Sequence, residues 1–212
     1  MRPTAGQGAA ADHPTSPGQS PCDDQTILDA AGDVIVDHGF TGLTLARVAT
    51  AAGTSRMTLH RRGVTIPGVV AGLSARAASA WRNALYPVLT STEPAEARLR
   101  SALTALCETA DRHLPLLAGL FAADDGVFHT EPDETGALAS DEVFVAPLAK
   151  LLTDGMADGS LAVPGDATEV ATVLLNVAGW GYVQLRHAQR WPADRARQGI
   201  MQLVLAGLLP KA

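Results

Sequence analysis

The sequence predicts an all-α protein, and three observations carry that expectation. Ala and Leu, which lead the helix-propensity ranking, are abundant, whereas aromatics make up only 4% of the chain. Large apolar residues recur at three- and four-residue intervals, as along one face of a helix, and no strand-like alternation lasts beyond a few residues. Gly, Pro and polar capping residues punctuate these periodic stretches into about nine helices. With 212 residues, 47% hydrophobic and 18% charged, the chain is long and apolar enough to bury a substantial core in one or two domains.

Residues 1–22 are rich in Gly, Pro, Ser, Thr and Ala and nearly free of large apolar side chains. Such a segment buries too little surface to offset its ordering entropy, so a disordered leader is expected. The first helix should start near Asp23 or Asp24, where carboxylates suit the positive helix end. Ile27, Leu28, Ala31, Val34 and Ile35 give its buried face, and Gly39 stops it. Thr44 is suited to cap a short second helix reaching about Ala51. Gly53 breaks that helix, Thr54 or Ser55 caps a third reaching about Arg62, and Gly63 breaks the chain again. Pro67 falls in the first turn of a fourth helix, which should run to Tyr86, just before Pro87. Beyond it, helices are expected over 94–113, 115–123, 140–157, 166–189 and 192–209, with a polar loop at 124–139.

The formal net charge is −6, yet from His38 to Thr92 there is no Asp or Glu at all. That window carries Arg47, Arg56, Arg61, Arg62, Arg76 and Arg82, while the rest of the chain holds all 22 acids. An acid-free basic segment on an acidic body can attract phosphate locally while the whole stays soluble. Cys22 and Cys107 form no disulfide framework, and no secretory signal pattern precedes them, so a reducing cytoplasm is expected. The longest uncharged apolar run, Val170 to Leu185, is interrupted by Asn176 and Gln184 and is too short to span a bilayer, so no membrane role is expected. Nucleophile-elbow, phosphate-loop, zinc-protease and Cys-x-x-Cys motifs are all missing, which argues against an enzyme. The six histidines lack metal-ligand spacing, so neither metal nor cofactor is expected.

Function therefore rests on residues 44–62. Ala49 lies four positions before Gly53 and Leu59 six after it. Two helices crossing at a sharp angle need a small residue where they touch, and the turn between them needs one tolerant of positive φ. Leu59 would anchor the second helix onto the first and leave its other face for a DNA major groove, the arrangement of a helix-turn-helix.

The run Ile27-Leu28-Asp29-Ala30-Ala31, then Gly39-Phe40, Thr44, Val48-Ala49-Thr50-Ala51-Ala52-Gly53-Thr54-Ser55 and Thr58-Leu59 resembles the N-terminal domain of TetR-family regulators. The resemblance is specific over about residues 24–70; further on, only helix order and the turn from Asp154 to Leu161 support it. It implies a helix-turn-helix domain over 23–66 and a helical regulatory and dimerisation domain over 67–212. It further implies a homodimer on a palindromic double-stranded operator, a small-molecule effector of unreadable identity, and, as the family default, a repressor. Placed on that pattern, Arg56, Met57 and Thr58 would face base edges, and Thr44, His60, Arg61 and Arg62 would hold phosphates. The effector cavity would draw on Leu103, Cys107, Phe121, Phe144, Leu148 and Trp180, with His113 or Asn176 as polar anchors and an uncharged or weakly polar ligand. Val173, Leu174, Val177 and Gly181 would form the dimer face.

Three positions depart from the family pattern. His60 stands where an aromatic, most often Tyr, is usual; Gly63 replaces a packing Phe; Ile66 replaces a phosphate-touching Lys. These substitutions define the alternative reading, a dimeric helical ligand-binding or interaction module with degenerate DNA binding.

Overall fold

The computed structural model describes residues 24–122 and 141–210. The expected leader (1–22) and polar loop (124–139) lie outside the described residues. Within them, every regular element is helical.

Helix α1 (Gln25–His38) starts where the sequence places it. The Asp24 carboxylate accepts the Thr26 N–H at 3.0 Å, and Gly39 ends the helix. After a 3-10 turn (Phe40–Gly42), Thr44 accepts the Arg47 N–H and opens α2 (Leu45–Ala51). Ser55, the second of the two candidate caps, opens α3 (Arg56–Arg61). Thr65 caps α4 (Ile66–Leu89) through the Gly68 N–H.

Helix α4 does not stop before Pro87, as the sequence predicts, but continues to Leu89. Pro87 sits in the last turn, on the exposed side, where the bond its missing N–H would have made can be replaced by water. Thr90 then closes the end: its N–H and its hydroxyl both donate to the Tyr86 carbonyl, at 3.2 and 3.0 Å.

Helices α5 (Ala95–Arg112) and α6 (Leu114–Ala122) follow. A π-helical turn (Asp141–Val145) leads into α7 (Ala146–Asp158), which ends at Gly159 as expected. The turn after α7 also serves α5. Asp158 and Ser160 accept the Ala95 and Glu96 N–H groups that α5 leaves without intrahelical partners. The single long helix expected over 166–189 is a rod in three parts: α8 (Ala167–Leu174), a π-helical segment (Leu175–Trp180) and α9 (Gly181–His187). Helix α10 (Ala193–Ala206) is the last. Taking that rod as one helix, the described residues hold the nine expected.

Two apolar clusters organise these helices. One gathers α1, α2, α3, the start of α4 (Val69, Leu73) and two residues of α6, Leu116 and Leu120. The other gathers the rest of α4 (Trp81, Leu85) with α5, α7, the α8–α9 rod and α10. Helix α4 thus belongs to both, and α6 leans from the second group onto the first. Close packing fixes that lean, because a Cβ placed on Gly119 would clash with the base of the Phe40 side chain.

A polar tie locks α5 to the rod. The Tyr182 hydroxyl donates to Asp111 at 2.5 Å, and Arg186 Nε donates to the other oxygen of the same carboxylate at 2.6 Å. Burial, then the hydrogen bond to the carboxylate, raise the Tyr182 pKa, so the phenol remains a donor at neutral pH.

Candidate DNA interface and effector cavity

Helices α2 and α3 both end in a Schellman motif, and this pair of turns aims α3. After α2, the Gly53 N–H reaches the Thr50 carbonyl (3.1 Å) and the Thr54 N–H reaches Ala49 (2.9 Å). After α3, the Gly63 N–H reaches His60 and the Val64 N–H reaches Leu59, each at 3.0 Å. The motif needs a left-handed residue, and Gly53 and Gly63 have φ of 65° and 73°. Gly63 therefore has a backbone task, and the apolar contact that accompanies such a cap comes from Val64 packed with Leu59, 2% and 0% exposed. Ile66, in place of a lysine, packs against the same cluster.

With Leu59 buried, the opposite side of α3 faces out. Arg56, Met57, His60 and Arg61 are exposed, and Met57, a large apolar residue, is 72% exposed. The Thr58 hydroxyl lies 2.9 Å from that of Ser55, so it belongs to the helix cap as well as to the surface. Thr44 is exposed at the start of α2. Among the described residues, neither Arg56 nor Arg61 forms an ion pair.

Arg62 is placed differently from expectation. Its guanidinium donates to the Asp24 carboxylate at 2.7 Å. Arg76 likewise meets Asp29 at 2.7 Å and Gln25 at 2.6 Å. The acid-free window of the sequence is thus not acid-free in space, because α1 packs its own acids against the window's arginines. The Arg62 hydrogen bond holds the Asp24 carboxyl below the ordinary carboxylate range, against a smaller opposing effect of burial.

That pair yields a testable result. Asp24→Asn keeps a competent cap but removes the charge, and should cost up to about 1 kcal/mol at neutral pH. Because the folded-state pKa is lowered, the contribution exists above the unfolded carboxylate value and is lost as pH falls through the folded one. Chemical denaturation should therefore show the gap between native and variant chains closing as pH drops from about 6 to about 2. A gap that stays constant over that range would mean the ion pair is not its source.

A cavity of about 190 Å³ opens between α4, α5, α6 and the rod. Trp81, Leu106, Phe144, Thr172, Asn176 and Trp180 are among its walls. Trp81 is locked by its indole N–H to the Val143 carbonyl at 3.0 Å, and its ring stacks with Phe144 at a centroid distance of 6.3 Å. Of the residues expected here, Phe144, Asn176 and Trp180 line the cavity. Leu103, Leu148 and Cys107 are not among its walls; they are buried in the surrounding core cluster. Burial pushes the Cys107 thiol up to about 12, which leaves it unreactive at neutral pH. His113 ends α5 away from the walls, and burial, then Arg112 and Arg76, lower its pKa. Phe121 is not among the walls but packs on Trp180, with centroids 5.6 Å apart. Trp81, which the sequence did not mark as a cavity residue, lies on the buried face of α4 one turn before Leu85.

Of the expected dimer face, Val173 and Val177 are 60% and 39% exposed. Leu203 on α10, not singled out from sequence, is 70% exposed. Leu174 instead points into the chain's own core at 5%, since it lies one position round the helix from Val173. Gly181 is half-buried, its open side towards Ile200 of the same chain.

Comparison with known proteins places this geometry. Residues 27–62 match the tetR family of bacterial regulatory proteins. An uncharacterized HTH-type transcriptional regulator of Mycobacterium bovis is 30% identical over 162 residues, covering 72% of this chain and 76% of that protein. The chain belongs to the TetR family. It is accordingly a DNA-binding transcriptional regulator, and its fold is shared with solved TetR-family structures. A TetR transcription regulator from Haloarcula marismortui superposes with a TM-score of 0.69 at 21% identity, covering 88% of this chain and 98% of that one. FadR of Thermus thermophilus, a TetR-family repressor in complex with lauroyl-CoA, superposes with a TM-score of 0.60 at 19% identity, covering 89% and 96%. Among the described residues of this TetR-family chain, no helix is long and apolar enough to cross a membrane, and no cluster of His, Cys, Asp or Glu could hold a metal.

Proposed function

We propose that the chain is a cytoplasmic, ligand-responsive repressor that binds a palindromic operator as a homodimer. The observation that carries this reading is the two-sidedness of α3: Leu59 is fully buried, while Arg56, Met57 and Arg61 stand outward without an acidic partner among the described residues. Arg56 is positioned to donate to guanine, and the Met57 and Thr58 methyls to meet thymine. Thr44, His60 and Arg61 hold the backbone; Arg62 joins them only by leaving Asp24. The exposed Val173, Val177 and Leu203 form the face that a second copy covers, which sets two recognition helices on successive turns of the groove.

Helix α6 supports the ligand-responsive part. Leu117 walls the cavity, while Leu116 and Leu120 pack in the DNA-binding cluster. Filling the cavity therefore bears on the same short helix that props α1. That bound ligand in the Thermus repressor is a precedent for an effector at all, not for its identity.

Selecting bound sequences from random duplexes supplies the operator, and salt then tests the mode of binding. With six or more phosphate contacts per dimer, affinity should fall about 10³-fold or more between roughly 50 and 200 mM salt. A chain that retains no duplex even at low salt would be the degenerate module instead.

A further inference from the structure

The cavity's walls say what kind of molecule fills it, provided the cavity is the effector site proposed above. Among the described residues, its walls carry no charged side chain. An ion entering would lose its hydration without a counter-charge, a cost of several kcal/mol that no wall group offsets. The volume of about 190 Å³ is only somewhat larger than an apolar cavity of about 150 Å³ that takes benzene, so it suits one ring with two or three further heavy atoms. Trp81, Phe144 and Trp180 provide flat apolar surfaces for such a ring.

One wall group calls for a partner. Ser74 Oγ on α4 is buried and makes no hydrogen bond. A helical serine ordinarily bonds back to the preceding turn, and buried hydroxyls left unpaired are uncommon. The other polar wall groups each make at least one hydrogen bond, and Thr172 and Asn176 are also exposed to water. Thr109 accepts from Arg112, Thr172 donates to the Thr168 carbonyl, Asn176 donates to the Thr172 carbonyl, and the Trp81 indole donates to Val143. Independently, both π-helical segments of the described chain open onto this space. Phe144 and Val145 come from the first, and Leu175, Asn176, Gly179 and Trp180 from the second. Such turns are costly irregularities found disproportionately at functional sites.

We propose that the cavity binds a neutral, single-ring, phenol-like molecule, its ring against Trp81, Phe144 and Trp180 and its one oxygen hydrogen-bonded to Ser74 Oγ. Titration calorimetry on the full chain tests this with four probes: 4-ethylphenol, ethylbenzene, 4-ethylbenzoate and dodecanoate. 4-Ethylphenol should bind, ethylbenzene about three- to tenfold more weakly, and the two carboxylates not measurably at the same concentrations. Ser74→Ala should bring 4-ethylphenol down to the affinity of ethylbenzene and leave ethylbenzene itself unweakened. A carboxylate that binds as well as the phenol, no binding of the phenol, or a discrimination that survives Ser74→Ala would overturn the proposal. Release of operator duplex separates this from the broader reading. If a carboxylate releases DNA while the phenol does nothing, the ligand class is wrong and the repressor stands. If the phenol binds with the expected Ser74 dependence but the chain holds no duplex, the reverse is true.

Discussion

Leu59→Ala is expected to cost about 2–5 kcal/mol of folding stability and to abolish binding to the operator at the salt concentrations where the native chain binds. The six residues of α3 are too few to form a helix on their own in water. Their position depends on one fully buried side chain, which also meets Val64 in the cap that closes the helix. Truncation leaves a cavity in the cluster that Leu59 shares with α1, α2 and the start of α4, and removes the apolar contact of the cap as well. Denaturation midpoints with an unchanged slope would report the stability loss, and retention on operator duplex would report the functional one. A variant as stable as the native chain would mean that Leu59 is not the anchor.

Arg56→Ala should behave in the opposite way. The side chain is exposed and makes no ion pair among the described residues, so stability should change by less than about 0.5 kcal/mol. On the selected operator, affinity should fall by about 1–3 kcal/mol, whereas on random duplex it should hardly change. The same comparison for Arg61→Ala should give a loss of similar size on both, with a shallower salt dependence, as befits a phosphate contact. Equal losses on operator and random DNA for Arg56→Ala would remove it from the base-reading set. The contrast between Leu59 and Arg56, three positions apart on one turn of helix, separates what holds the reading head from what reads.

Much of this was legible in the sequence because helix ends are local chemistry. As caps, Asp24, Thr44 and Gly53 each act through hydrogen bonds that reach only a few residues along the chain, so position alone reveals that role. Gly63 was legible too, as the break after the third helix and as a missing Phe; what the structure adds is its left-handed φ within a Schellman turn. What the sequence could not convey was mostly long-range. Asp24 and Arg62 are 38 positions apart, and nothing in the spacing of either announces the pair. The same limit separated Phe144 and Trp180, which line the cavity, from Leu103 and Leu148, which lie just behind it: a helix's apolar face is one stripe, and only packing decides which part of it stays uncovered. The π-helical segments were invisible for a related reason, since one extra residue in a turn leaves an apolar run looking unbroken.

The tight seat of Phe40 over Gly119 has a consequence for how such a protein can diversify. Helix α6 has no free space on that side, so any shift of it towards Phe40 must move that side chain too. On the function proposed above, the side chains that would meet DNA lie at the cap of α2, on α3 and in the turn beyond, whereas those that would meet a ligand lie on α4, α5, α6, the turn before α7 and the rod. The two sets share no position. Operator preference and effector preference can therefore be exchanged independently, so long as the ring and the bare backbone it rests on stay together.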